Sequence, residues 1–326
     1  MNSFGRVFRV SIFGESHGSE IGIVIDGCPP GITITEKDFE KDLLKRKPGK
    51  RGTTSRKESD LPKIISGIYK GKTTGAPITI TFSNEDIRSS DYQKFIDMPR
   101  PGHADFTAKV KYKGFNDFRG SGHFSGRLTA PLVAAGVIAK KILGKIEISA
   151  SLTEAGGVLD IDAAVKSSEE TGDSIGGIVE CKVKNLFPGL GEPFFDSVES
   201  VISHIIFAIP GIRGIEFGVG FKAAGMRGSE HNDLIISADG KTAANNHGGI
   251  NGGITNGNEV VFRVAVKPTA TISAVQKTYN FKTNKIEELA AGGRHDICFA
   301  LRAPPVVEAA AAIAIADLYL LGKLYQ

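Results

Sequence analysis

The chain has no tryptophan, only three methionines and only three cysteines in 326 residues. Cys28, Cys181 and Cys298 are odd in number and far apart, which excludes a disulfide framework and the paired spacing of a structural zinc site. No metal is expected, and unpaired thiols fit a reducing cytoplasm. Met1 to Val10 carries Arg6 and Arg9 but no apolar run of signal-peptide length, so no export signal is expected. Charge of one sign is also scarce: 40 Lys and Arg against 36 Asp and Glu leave a net +4. That excess, with 8% aromatic residues, is too weak for the counterion release and stacking of an RNA-binding module, although a basic loop keeps that rival open. The expected partner is instead a small anion, with no nucleic acid. Long apolar runs are missing too. Val306 to Leu321 contains Glu308 and Asp317 and falls short of the roughly 18 clean residues of a membrane span; a buried helix and no membrane partner are expected.

What is abundant is glycine, 40 residues of 326, well above the roughly 7% of ordinary proteins. The glycines gather in polar connections such as Arg119 to Gly126, Asn245 to Gly257 and Gly292 to Gly293, where backbone turns sharply or approaches a ligand. With 41% hydrophobic residues and no Pro/Ser-rich linker, the chain is expected to form one domain over residues 1–326.

Short β-rich runs recur at Phe8 to Phe13, Ile21 to Asp26, Lys63 to Tyr69, Ile78 to Phe82, Ile175 to Val183, Ile215 to Phe221 and Val260 to Val266. The last alternates, with Val260, Phe262, Val264 and Val266 on one side, so a half-buried antiparallel strand is predicted. Val198, Val201, Ile202, Ile205, Ile206 and Ile209 follow helical spacing, with Asp196 and Glu199 placed as a capping-box variant and Pro210-Gly211 as the stop. Thr35 to Arg46 reads as a helix capped by Thr35, burying Phe39, Leu43 and Leu44. Leu128 to Leu143 and Pro304 to Leu321 are apolar nearly all round, as helices packed on several sides are. A central helical layer covered by antiparallel sheets satisfies both patterns, so the fold class is α+β.

The chemistry-bearing residues lie in the glycine-rich turns. Gly14-Glu-Ser-His-Gly18 presents Ser16 and His17 at a strand end. Arg100-Pro-Gly-His-Ala-Asp105 places a guanidinium, an imidazole and a carboxylate within six residues, and His103 titrates near enough to neutrality to act as an acid. Arg119 to Arg127 opens the helix from Leu128 with exposed N–H groups flanked by two arginines, an anion site by construction. Its glycines miss both the dinucleotide and the phosphate-loop patterns. Lys45 to Lys57 is densely basic; such a run is ordinarily a solvated face, but Arg46 and Arg51 suit a carboxylate or phosphate. Lys267-Pro-Thr-Ala-Thr271 ends the alternating strand, and Gly293-Arg-His-Asp296 precedes the last helix.

Together with Asp26-Gly-Cys-Pro-Pro-Gly31, Gly172-Asp-Ser-Ile-Gly176, Gly189-Leu-Gly-Glu-Pro193 and Asn246-His-Gly-Gly249, these segments resemble the chorismate synthase family from Phe4 through the last helix. The resemblance implies a β-α-β sandwich, a homotetramer, and an anti 1,4-elimination of phosphate from 5-enolpyruvylshikimate-3-phosphate that needs reduced flavin mononucleotide (FMN). The cofactor carries the hard step, because the C6 hydrogen is not α to a carbonyl. By resemblance His17 governs the flavin's protonation, His103 is the acid facing the leaving phosphate, Asp296 accepts a proton, and Ser16 and Ser125 relay protons. Arg46, Arg51, Arg100, Arg127 and Arg294 would hold the substrate's anionic groups, with Arg46 and Arg51 also matching NADP positions, NADPH being the possible reductant. His123, Phe124, Ser125, Gly252, Lys267, Pro268, Thr269, Ala270, Thr271 and Arg294 would contact the flavin. Relatives carry an arginine where this chain has His123, a glutamate where it has Leu128, and Asn-Ala where it has Pro210-Gly211. The rival within flavin chemistry is a flavin reductase, with the nicotinamide nucleotide as true substrate.

Overall fold

The computed structural model describes residues 1–323. Val260–Val266 obeys its alternation: Val260, Phe262, Val264 and Val266 are buried and the residues between them are half-buried. It pairs antiparallel with Ile212–Phe217 on one side and Gly177–Lys184 on the other, and Glu147–Ala155 completes a four-stranded sheet. A second antiparallel sheet runs in the order Ser3–Phe4, Arg9–Gly14, Glu20–Asp26, Ile78–Ser83, Lys63–Ser66. The run expected as one strand over Lys63 to Tyr69 breaks at Gly67, whose φ of 81° turns the chain. Ile68–Tyr69 then pairs with Lys72–Thr73 instead. Glu147–Ala155, not foreseen, alternates exposed and half-buried residues over its first half.

The helices are α1 (Lys37–Arg46), α2 (Asp105–Lys111), α3 (Thr129–Leu143), α4 (Ile161–Thr171), α5 (Val198–Ile206), the single turn α6 (Gly228–His231) and α7 (Pro304–Gly322). Between the sheets, α3 lies against the Glu20–Asp26 and Ile78–Ser83 strands, α7 lies against Glu147–Ala155 and Gly177–Lys184, and the two helices pack on each other. The crossing is tight because Gly136 has no side chain: a Cβ there would lie 2.4 Å from the Ala309 Cβ. One hydrophobic cluster runs through both sheets and the helices between them, giving the expected sandwich. A small second cluster of Phe95, Leu289 and Ala291 sits beside it.

Helix α7 is long and apolar enough to cross a membrane, yet it is packed inside the protein, with 83% of its most apolar window buried. Its two carboxylates are each given a task. Asp317 accepts from the backbone N–H groups of Arg6, Val7 and Phe8 at 2.7 to 3.0 Å, pinning the N-terminal chain. Glu308 accepts from Lys140 at 3.0 Å and from the Ala150 N–H at 3.1 Å, joining α3, α7 and the four-stranded sheet. The three thiols are free and buried.

Two helix starts differ from expectation. Ser197, not the Asp196 and Glu199 pair, caps α5, accepting from the Ser200 N–H at 3.1 Å. At α1, Thr35 donates both its N–H and its hydroxyl to Asp38, reversing the anticipated cap. Phe39 and Leu43 are buried as expected, but Leu44 is 68% exposed because it falls on the outer face of α1.

Candidate active site

The Arg119–Phe124 loop organises the site. Gly120, Ser121 and Gly122 all adopt positive φ. The missing Cβ of Gly120 is a requirement, since one would lie 2.4 Å from the His17 Cδ2. The next residue, Ser121, puts its Oγ 3.2 Å from the His103 Nε2. One loop therefore touches both histidines, although they come from separate turns far apart in sequence.

His17 is buried, with Nδ1 3.1 Å from the Ser89 Oγ and its ring edge-on to Tyr92. Burial, helped by the Arg56 cation, lowers its pKa to about 4, so the ring is neutral at neutral pH. Ser16 is fully buried and its Oγ accepts from Arg56 at 2.8 Å. His103 stands 2.7 Å from Asp105 through Nδ1. Burial holds its pKa below the ordinary value, opposed by the Asp105 carboxylate.

Around the histidines, arginines and carboxylates alternate. Arg46 is buried, donating to the Thr129 hydroxyl, to Asp60 at 3.2 Å and to the Gly126 carbonyl; burial lowers its pKa to about 9, still charged at neutral pH. Arg127 pairs with the other oxygen of Asp60 and donates to Asn84 and the Ser83 carbonyl. Burial alone would raise Asp60, but Arg46 and Arg127 outweigh it and leave its pKa below the ordinary value. Arg56 links this group to Ser16 through Glu58, which it meets at 2.6 Å and which lies 3.7 Å from Arg127. Asp296 accepts from the Thr54 N–H at 2.9 Å and from Arg302 at 3.1 Å, and Arg302 in turn donates to the Arg46 carbonyl. Arg294 pairs with Asp86, which also accepts from the Lys57 N–H; these contacts lower Asp86 to about 2. The segment from Thr54 to Asp60 thus stitches the Ser16, Arg46, Arg127, Arg294 and Asp296 groups together.

Arg100 lies at the other end, clamped on Asp105 and donating to the Thr271 hydroxyl at 3.0 Å. Lys267 donates to the Gly102 carbonyl at 2.5 Å, which sets the Lys267–Thr271 loop beside His103. Thr269 accepts from Ser174 through its carbonyl, yet its own Oγ1 is buried without a partner among the described residues. The same is true of the His295 Nδ1. Pro268 and Ala270 belong to this loop. Ser125 accepts from the Arg127 N–H and starts the turn into α3. Phe124 is 37% exposed and, with His103 and Ser121, lines a cleft of about 70 Å³. A larger, shallow hollow along Ser90 to Asp97 contains none of the expected site residues.

Some expected residues stand apart. Arg51 is exposed and paired with Glu169 of α4 at 2.5 Å. Gly252 forms the exposed turn between Ile250–Asn251 and Ile254–Thr255, beside the start of α5. His123 is drawn towards the N-terminal chain, its Nδ1 2.8 Å from the Gly14 carbonyl. Leu128, where relatives carry a glutamate, is buried in the core. Conversely, Asp60, Glu58, Asp86 and Arg302 were not anticipated. Asp60 and Asp86 meet arginines 14 to 208 residues away, whereas Glu58 lies 2 residues from Arg56 and Arg302 lies 6 from Asp296, and only those two short spacings are local signals.

Chemically, the arrangement offers one buried and one half-buried imidazole, hydroxyls and a group of guanidiniums whose present counter-ions are the protein's own carboxylates. Such a site suits an anion carrying several charges. The chorismate synthase family model matches residues 8–320. A chorismate synthase of Chitinophaga pinensis is 60% identical over 99% of this chain and 98% of its own length. One of Pyrococcus abyssi is 44% identical over 99% and 98%. A crystal structure of a chorismate synthase superposes with a TM-score of 0.76 at 27% identity, covering 98% of this chain and 93% of that one. These full-length matches give the flavin reductase alternative no support. On the motifs, the sandwich and these similarities, the chain belongs to the chorismate synthase family and has that family's lyase activity.

Proposed function

We propose that the chain eliminates phosphate from 5-enolpyruvylshikimate-3-phosphate with reduced FMN, and that the turns around the Arg119–Phe124 loop are where it does so. The observation that carries this reading is the contact of Gly120 with His17 and of Ser121 with His103. The residues fit the cofactor in one testable respect: Thr269 Oγ1 and His295 Nδ1 are buried polar atoms without partners among the described residues, in the segments expected to meet it. Lys267, Pro268, Thr269, Ala270, Thr271, Phe124, Ser125 and Arg294 would hold it. When bound, reduced FMN supplies electron density that no side-chain base can offer.

The protein's own tasks follow from its charges. His103 delivers a proton towards the leaving phosphate oxygen; a phosphate dianion beside it would raise its proton affinity. His17 enters neutral and exchanges a proton only when an anion arrives. Ser16, held by Arg56, and Ser125 stand ready as relays, and Asp296 is the carboxylate that takes a proton up. Arg127, Arg294 and Arg46 exchange internal carboxylates for those of the substrate, joined by Arg56 and Arg302, while Arg100 stays clamped on Asp105 and adds its positive charge to the site.

Exposed Phe194, Phe195 and Phe221 support assembly as a homotetramer, and buried free thiols support a cytoplasmic setting. The deciding experiment mixes anaerobic protein, reduced FMN and substrate, and follows phosphate and chorismate. Release with reduced FMN but not oxidised FMN is expected. Adding NADPH to oxidised FMN tests whether Arg46 and Arg51 serve a nicotinamide nucleotide. No phosphate at micromolar enzyme overturns the reading.

A further inference from the structure

We infer that Asp105 is a positioning residue that keeps the proton of His103 on Nδ1 and turns Nε2 towards the reacting substrate. The inference rests on the reading of His103 as the acid. Nδ1 lies 2.7 Å from the Asp105 Oδ1 and 3.1 Å from the Arg100 guanidinium. Both contacts cannot be hydrogen bonds, because a carboxylate only accepts and a guanidinium only donates. The shorter, charge-assisted one decides: Nδ1 carries the proton and donates to Asp105. The guanidinium has its own partner there, donating to the same Oδ1 at 2.8 Å.

Asp105 can do this because it is itself immobile. Its Oδ2 accepts from the Arg100 backbone N–H at 3.0 Å and from the Arg100 Nε at 2.8 Å. The guanidinium is fixed in turn by the Phe95 ring, 4.3 Å from its centre, by the Thr271 hydroxyl and by Ser121. The charged groups facing His103 are Arg100, Asp105 and Lys267. Two cations and burial oppose its protonation, and Asp105 is the one group among them that favours it. Nε2 is left facing Ser121 at 3.2 Å.

In the elimination the imidazolium gives the Nε2 proton to the departing phosphate oxygen as its bond to carbon breaks. What remains is the neutral ring protonated on Nδ1, the tautomer that Asp105 stabilises, and solvent restores the lost proton. Asp105 would thus support both ends of the transfer without touching substrate, as a buried carboxylate orients a catalytic histidine elsewhere.

The test is ¹⁵N NMR of the His103 ring in the full-length protein, combined with the pH profile of kcat. The wild-type ring should be protonated on Nδ1 when neutral; an Nε2–H tautomer overturns the inference without any variant. In Asp105→Asn the proton preference should be lost, kcat should fall on the order of 10²-fold with KM little changed, and the limb of the profile that reports His103 should move to lower pH. Asp105→Glu should recover part of both. An Asp105→Asn protein with the wild-type tautomer and profile also overturns it. Wild-type turnover in His103→Ala would instead sink the assignment of the acid, while the tautomer result would stand by itself.

Discussion

Helix α7 and the glycine-rich turns both bury charge, and they finish the task differently. In α7, Asp317 and Glu308 meet backbone N–H groups and a lysine, permanently joining elements that are distant in sequence. In the turns, guanidiniums of Arg46, Arg56, Arg127, Arg294 and Arg302 face carboxylates that a multiply charged ligand could replace, and two buried polar atoms have no partner among the described residues. On the proposed function, buried charge in the helix layer is scaffold and buried charge in the turns serves binding and proton transfer. A residue of the first kind should report in stability, one of the second kind in turnover.

The largest expected effect is on rate. His103→Ala should lower kcat by about 10²- to 10⁴-fold, the usual worth of a general acid, while the folded protein melts close to wild type; equal loss of both would erase the distinction. Asp317→Ala should do the reverse. It leaves the N–H groups of Arg6, Val7 and Phe8 without their acceptor and should cost about 3 kcal/mol or more in denaturant unfolding, with turnover per folded molecule retained. A change below about 0.5 kcal/mol would show that Asp317 is not the anchor described.

Arg127→Ala should blur the line in a defined way. It raises KM by removing a substrate contact, and it also strips Asp60 of one of its two arginines, so a stability loss of about 3 kcal/mol should accompany it. Arg127→Ala combined with Asp60→Asn should recover much of that stability but none of the binding. Recovery of both would mean that Arg127 acts only through the fold.

The last effect is a pH slope. His17 is neutral when folded down to about pH 4, whereas an unfolded histidine takes up its proton near 6.5. The unfolded chain therefore binds more protons in that window, so stability present above about pH 6.5 is lost as pH falls towards 4. Melting temperatures of wild type and His17→Gln, compared from pH 7 to 4, should show a shallower slope in the variant. Parallel slopes would contradict a buried neutral ring.

How much of this was legible depended on where the partner of each residue lies. Val260–Val266 and the helix from Val198 carry their periodicity in themselves and were read correctly, as was the burial of α7. Glu147–Ala155 alternates through Ile148, Ala150 and Leu152, too small and too diluted by serine and threonine to stand out. Leu44 was misplaced because its neighbour Leu43 takes the inward position on α1. In the site, glycine turns and family motifs pointed to His17, His103, Arg127 and Asp296, which the fold does connect through one chain of contacts. They could not show that Arg56 faces inward while Arg51 meets Glu169, because that choice is made by α4 and by Glu58, one remote in sequence and the other as ordinary in appearance as any surface acid.

The most direct test of the division between scaffold and site is anaerobic phosphate release, run with reduced FMN and substrate on wild type, His103→Ala and Asp317→Ala at a temperature where all three are folded. The wild type and Asp317→Ala should release phosphate at comparable rates, and His103→Ala at least 10²-fold more slowly. Comparable rates in wild type and His103→Ala, or none in the wild type, would contradict the account.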